Sequence, residues 1–234
     1  ILDAEGADWL LIYENPQRTI TIEDCNNNII SDLTITGGVS GGLAPNGEYL
    51  SEDNDRGGGV LIARSNPTLM NLNISANISY NDGGGIYIYN SDPIFDNVTI
   101  NDNGIPGLWS NRDGGGIYAF SSNLIMKDVT ISNNYCGSEG GGMYLSYSDA
   151  IIEEVAISHN QALSGGGGIY IRNSSPTLTD VTISNNITDT VGIYGIGHDG
   201  GGMYIRNSNP SITHSTISGN IARGNGGGIY IDES

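Results

Sequence analysis

The sequence predicts an all-β chain wound as a single right-handed parallel β-helix, with about 26 residues and three short strands per coil. Three observations carry this reading. A triple glycine recurs, beginning at Gly57, Gly83, Gly114, Gly140, Gly166, Gly200 and Gly226, in steps of 26, 31, 26, 26, 34 and 26 residues. The apolar residues between glycines have the two-residue period of strands. Ile169 and Ile171 flank Tyr170, and Val181 and Ile183 flank Thr182. Leu178 followed by the polar pair Thr179 and Asp180 breaks that alternation, so two short strands meet at a corner. A period of about 20 to 50 residues marks stacked units that bury their apolar faces against each other; a propeller blade needs roughly 40 residues and antiparallel turns. Right-handedness follows from the general rule for parallel crossovers.

Residue columns repeat with the coil. Past the first strand comes a serine in every copy: Ser65, Ser91, Ser122, Ser148, Ser174, Ser208 and Ser234. Three residues after the last strand isoleucine comes an asparagine: Asn77, Asn103, Asn134, Asn160, Asn186 and Asn220. Stacked about 4.8 Å apart, these side chains are expected to bond between coils as structural ladders, satisfying buried turn backbone. The triple glycine precedes a strand and lacks a following lysine, so it reads as a tight corner and not as a phosphate cradle. A tyrosine column, Tyr87, Tyr118, Tyr144, Tyr170, Tyr204 and Tyr230, points outward from the first strand. In-register rings turn their faces to one another, which favours a stabilising stack over a carbohydrate platform.

The repeats make residues 1–234 one elongated domain of about eight coils, roughly 40 Å long. Residues 1–36 read as degenerate first coils, with Pro16-Gln17-Arg18 in place of the glycines, and 57–234 as regular coils. Trp9, Leu10, Leu11 and Ile12 would supply core or cover an end. Ile1 opens within a strand-like run and Ser234 follows a first strand, so the chain is expected to be a fragment of a longer protein. A net charge of −18 with one lysine, Lys127, argues against nucleic acid and anionic membrane as partners. No apolar run reaches the roughly 18 residues of a membrane span. Cys25 and Cys136 lie about four coils apart, some 19 Å by strand spacing, and are expected to be free.

Three insertions interrupt the repeat. The spacing from strand isoleucine to the next triple glycine is 9 residues from Ile74 to Gly83, but 22 from Ile35, 14 from Ile100 and 17 from Ile183. All three extra segments, 36–56, 104–113 and 187–199, fall at one corner, where repeat proteins place recognition. They carry the candidate binding residues Tyr49, Trp109, Tyr194 and His198, which would either meet a glycan or partner protein or cover the flank.

An acidic residue precedes the triple glycine in four copies: Asp82, Asp113, Glu139 and Asp199. Stacked carboxylates repel, so they either take up calcium or splay into solvent; the calcium-binding nonapeptide of β-rolls is absent. Arg172 and Arg206 are neighbours further along the strand, as charge balance or, beside carboxylates, as parts of a lyase or hydrolase site. The acidic corner lies at the strand's other end, so the long loops are expected to bridge the gap. His159, His198 and His214 occupy different columns without metal-ligand spacing.

The Gly-Gly-Gly-Ile-Tyr and Ile-Ser-Asn-Asn motifs resemble the Gly-Gly-Ala-Ile and Phe-x-x-Asn repeats of chlamydial polymorphic outer-membrane proteins, with Gly for Ala and Ile for Phe, over about Thr19 to Ser234. That resemblance implies a bacterial passenger-type stalk outside the cell, used for adhesion or surface structure. The leading expectation is a non-enzymatic extracellular or cell-surface stalk or adhesin segment binding a glycan or surface protein through its corner loops. The alternative is a carbohydrate-active enzyme, a polysaccharide lyase or glycoside hydrolase, with its cleft under those loops.

Overall fold

The computed structural model describes residues 2–3, 18–41, 55–106, 112–188 and 198–233. Among these residues there is no helix, and the strands pair in parallel. The chain visits three sheets in turn and then begins the next coil. An eight-stranded sheet collects the Gly-Ile-Tyr-Ile segments, from Ile20–Glu23 and Val60–Ala63 to Ile229–Asp232. Met143 lies opposite Ile169, 26 residues on, while Ile86 lies opposite Ile117, 31 residues on. The extra residues therefore leave the coil without shifting the rung.

The second sheet holds the two strands read on either side of the Thr179 and Asp180 bend. They run on as Ile94–Asn101 and Ile125–Ser132 in some coils and split into Thr177–Thr179 and Thr182–Ser184 in another. The bend is a left-handed residue at the same place in each coil, with φ between 51° and 56° at Asn71, Asn97, Asp128, Glu154, Asp180 and His214. Short polar side chains tolerate that conformation best, which accounts for most of this column. His159 also sits at a left-handed turn, so two of the three histidines are turn residues.

A third ladder was not anticipated. Tyr135–Cys136, Gln161–Ala162, Ile187–Thr188 and Ile221–Ala222 stack in a four-stranded sheet of two-residue strands. It closes the coil between the asparagine column and the glycines.

Inside, columns of apolar residues run on from rung to rung. Leu69, Phe95, Met126, Ile152 and Leu178 are fully buried on successive rungs, as are Ile74, Ile100, Ile131, Ile157 and Ile183. The degenerate first coil joins in register, with Ile20 opposite Val60, Ile30 opposite Leu69 and Ile35 opposite Ile74. Trp9 to Ile12 lie outside the described residues. Both cysteines are free.

The expected ladders form. Asn134 Oδ1 accepts from the backbone N and the Nδ2 of Asn103 at 3.0 Å each, while Asn134 Nδ2 donates to Ile100 O at 3.0 Å. Ser122 Oγ accepts from Ser91 N at 3.1 Å and donates to Phe120 O at 2.8 Å. A third, exposed ladder runs through Asn66, Asp92, Asn123, Asp149 and Ser175, each side chain accepting from the backbone N of the coil that follows. The first glycine of each triplet has positive φ, as at Gly114 with 72°. At the second, a Cβ on Gly115 would lie 2.5 Å from Gly141 O, because successive backbones touch there.

Candidate functional site

All three insertions leave and rejoin the coil at the corner before the eight-stranded sheet, the first from a two-stranded sheet of Val39–Ser40 and Ile78–Ser79 that the bridges of Gly104 to Ile78 and Tyr135 connect to the four-stranded sheet. Their roots belong to the coil. Val39–Ser40 and Ile187–Thr188 are strands, Gly104 forms a parallel bridge to Tyr135, and Ile105 is 1% exposed beside Cys136 and Ala162. Tyr49, Trp109 and Tyr194 lie outside the described residues. His198 is described, and it anchors a loop base. Its ring Nδ1 donates to Leu163 O at 2.8 Å, since a carbonyl only accepts, and its backbone O accepts from Thr188 Oγ1 at 3.0 Å and Gly224 N at 2.9 Å.

The acidic column stands where the insertions rejoin. Asp82 and Asp199 are 8% and 7% exposed, and Asp113 and Glu139 are half-buried. Three of the four carboxylates brace the following coil: Asp82 Oδ1 accepts from Asp113 N at 3.0 Å, Asp113 Oδ1 from Glu139 N at 3.1 Å, and Asp199 Oδ1 from Asn225 N at 2.5 Å. Burial pushes the Asp82 carboxyl up to about 6, against the pull of its own bond to Asp113 N and of Arg56, whose Nε lies 3.5 Å away. Burial lifts Asp113 well above the carboxylate range, and Glu139 and Asp82 on the flanking coils add to the rise. Glu139 is raised by burial as well, with Arg172 opposing. Three acids on consecutive coils thus share one cramped flank. Among the described residues no group of three or more His, Cys, Asp or Glu side chains is arranged around a common metal position.

Gly165 interrupts the acidic column between Glu139 and Asp199. The absent side chain leaves room for tyrosine, as a Cβ there would lie 3.3 Å from Tyr170 Cε2 and 3.1 Å from Tyr204 Cδ2. The tyrosine column is a ring stack, with centroids 5.2, 5.1, 5.1 and 4.7 Å apart from Tyr87 through Tyr204 and a more tilted last step to Tyr230 at 5.0 Å. Tyr144 and Tyr170 are only 3% and 2% exposed. Burial raises the hydroxyls of Tyr118, Tyr144, Tyr170 and Tyr204 beyond their ordinary range, so they stay protonated donors.

Among the described residues, the tyrosine rings stand between the acids and the arginines. Tyr170 donates from its hydroxyl to Glu139, while Arg206 donates to Tyr170 and Arg172 to Tyr144. The result is a continuous flank of carboxylates, phenols and guanidinium groups. Sequence reading missed a second aromatic column two residues beyond the first, in which Tyr89 and Phe120 stack at 6.1 Å. The alternation Tyr87, Ile88, Tyr89 was its signal.

The family model described as the right handed beta helix region matches residues 12–209. Residues 214–232 match the Chlamydia polymorphic membrane protein repeat, a repeat type of bacterial surface-associated proteins. Neither curated proteins nor solved structures gave a match. The same rungs, ladders and inward columns run through the matched residues and carry on into the final repeat, and the chain belongs to the right-handed β-helix family.

Proposed function

We propose that this β-helix is an extracellular or cell-surface stalk segment that holds three loops in a row to bind a glycan or a partner protein. One observation carries the reading: every insertion departs from the same corner, after the first, third and sixth of eight rungs, so the loop bases stand about 10 and 14 Å apart on one edge. A stacked core that tolerates no local change, beside one edge that varies, is the division of labour of repeat proteins that bind. The match of the last repeat to a surface-protein repeat supports the location. Calcium at the acidic column belongs to the same proposal as a brace for loop bases, and its readout is a calcium-dependent melting temperature.

Excising residues 107–111, while retaining Ile105 and Asp113, tests the loop reading. The variant should melt within a few degrees of the parent and bind a glycan array or host-cell surface at least about tenfold more weakly. Unchanged binding contradicts the loop role. Release of reducing ends or unsaturated products from polysaccharides would instead favour the lyase or hydrolase alternative, for which the raised carboxyls beside Arg172 and Arg206 are the supporting feature.

A further inference from the structure

Near the start of each strand in the second sheet stands an outward residue, and in register these form a column: Ile29, Thr68, Ile94, Ile125, Ile151 and Thr177 on successive rungs. Ile29 is 70% exposed, and Ile94, Ile125 and Ile151, on three consecutive rungs, are 41%, 42% and 43% exposed. One isoleucine in water is ordinary for a strand. An unbroken row of them, with threonine as the only interruption, is a contiguous apolar stripe that calls for a partner.

The partner's chemistry is written in the two columns beside the stripe. Two residues on, the four central rungs carry Met70, Asp96, Lys127 and Glu153. At the bend that follows, the same rungs carry exposed Asn71, Asn97, Asp128 and Glu154. Lys127 is the one lysine of the chain; it is exposed, and among the described residues no carboxylate lies within 4.0 Å of its ammonium. Both columns therefore change character along the rod: neutral side chains and one acid on the earlier two rungs, one base and three acids on the later two.

We propose that this face packs on the same face of a second copy of the chain, the two rods running antiparallel about a two-fold axis that passes between the rungs of Ile94 and Ile125. In such a contact residue i meets j and j meets i. Ile94 then lies on Ile125, Thr68 on Ile151 and Ile29 on Thr177, so the stripe covers itself over six rungs, about 24 Å.

Charge decides for this arrangement. It sets Lys127 opposite Asp96 twice, Glu153 opposite Met70, Asp128 opposite Asn97 and Glu154 opposite Asn71. On the four central rungs no carboxylate faces another across the contact, which is what a chain of net charge −18 needs in order to meet itself. Parallel rods would place the two charged columns on opposite sides of the stripe and leave Lys127 unpaired. A narrow stripe with two ion pairs belongs to the weak class of interfaces, so half-association is expected at about 10 to 100 μM.

Sedimentation equilibrium from about 1 to 500 μM tests it, and the mass should rise from one chain towards two. Ile125→Ser and Lys127→Glu, both on the surface, should melt within a few degrees of the parent and each weaken association at least about tenfold. The double exchange Asp96→Lys with Lys127→Glu should restore it to within about threefold, because the pairs are remade with their signs reversed. Orientation is read in a Cys25→Ser background, where Cys136 stays buried. A bismaleimide of about 10 Å span should join Ile29→Cys to Thr177→Cys when the two variants are mixed, and neither variant to itself. A monomer at every concentration, an unaffected Lys127→Glu variant, a double exchange that fails to restore association, or self-linking of either cysteine variant would each overturn the proposal.

Discussion

Single residues are costly to change here because each is used by both its neighbours. Removing the Asn134 side chain strips the acceptor from Asn103 N and Nδ2 and the donor from Ile100 O, all buried. Asn134→Ala should therefore cost about 3 kcal/mol or more in chemical denaturation, and a cost under about 1 kcal/mol would show the ladder to be passive. The acidic column behaves differently, because its residues are held in an environment that disfavours their charge. In the unfolded chain these carboxyls titrate near 4, whereas Asp82 is pushed up to about 6 and Asp113 and Glu139 are raised too. The folded chain then binds protons more readily, so stability is highest below about 4 for these groups and is lost as pH rises through about 6. For Asp82 alone the linkage amounts to at most about 3 kcal/mol. Asp24 and Asp32, lowered by Arg64 and by hydroxyl and amide bonds respectively, act in the opposite sense but only below the ordinary carboxylate range. Urea melts should thus give greater stability at pH 5 than at pH 8, and Asp113→Asn should gain stability at pH 8 and narrow the difference; greater stability at pH 8 in the parent would contradict the burial argument. The column itself was legible as acids before glycines. Its burial was not, because whether a turn carboxylate splays or tucks depends on the tyrosines packed beside it.

Strands and ladders repay reading to the extent that they have a period. Ile-Tyr-Ile and Val-Thr-Ile alternate, and their sheets lie where that alternation puts them; the tyrosine stack follows from register alone. Gln161–Ala162 and its partners have only two residues each, too few to alternate, so the third sheet left no pattern to find. The contact of Glu139 with Arg172 and Arg206 was illegible for another reason: it runs across the sheet through Tyr144 and Tyr170, along ring directions that spacing does not specify. The stack is a stabilising element. Tyr144, with rings on both sides at 5.1 Å, should cost about 3 to 5 kcal/mol when replaced by Ala, whereas Tyr144→Phe keeps the ring contacts and loses only the bond to Arg172, about 1 kcal/mol. Thermal melts of the two variants check this, and equal losses would mean that the hydroxyl and not the ring stack holds the flank.

On the scale of the whole molecule, the proposed function rests on rigid spacing. Insertions lengthen the chain between rungs without lengthening the rod, since Ile86 and Ile117 stay paired across 31 residues and Ile169 and Met203 across 34. The described loop bases are thereby held at fixed heights along one edge of the sheet. The most direct test of stacked, in-register coils is pulsed dipolar spectroscopy on nitroxide pairs placed on outward threonines in a Cys25→Ser background. Labels at Thr34 and Thr182 are five rungs apart and those at Thr34 and Thr216 six, giving about 24 and 29 Å between attachment points. The account predicts a step of about 5 Å between the two pairs, whatever the length of chain between them. Distances that do not increase with rung number, or that scale with the inserted residues, would contradict it.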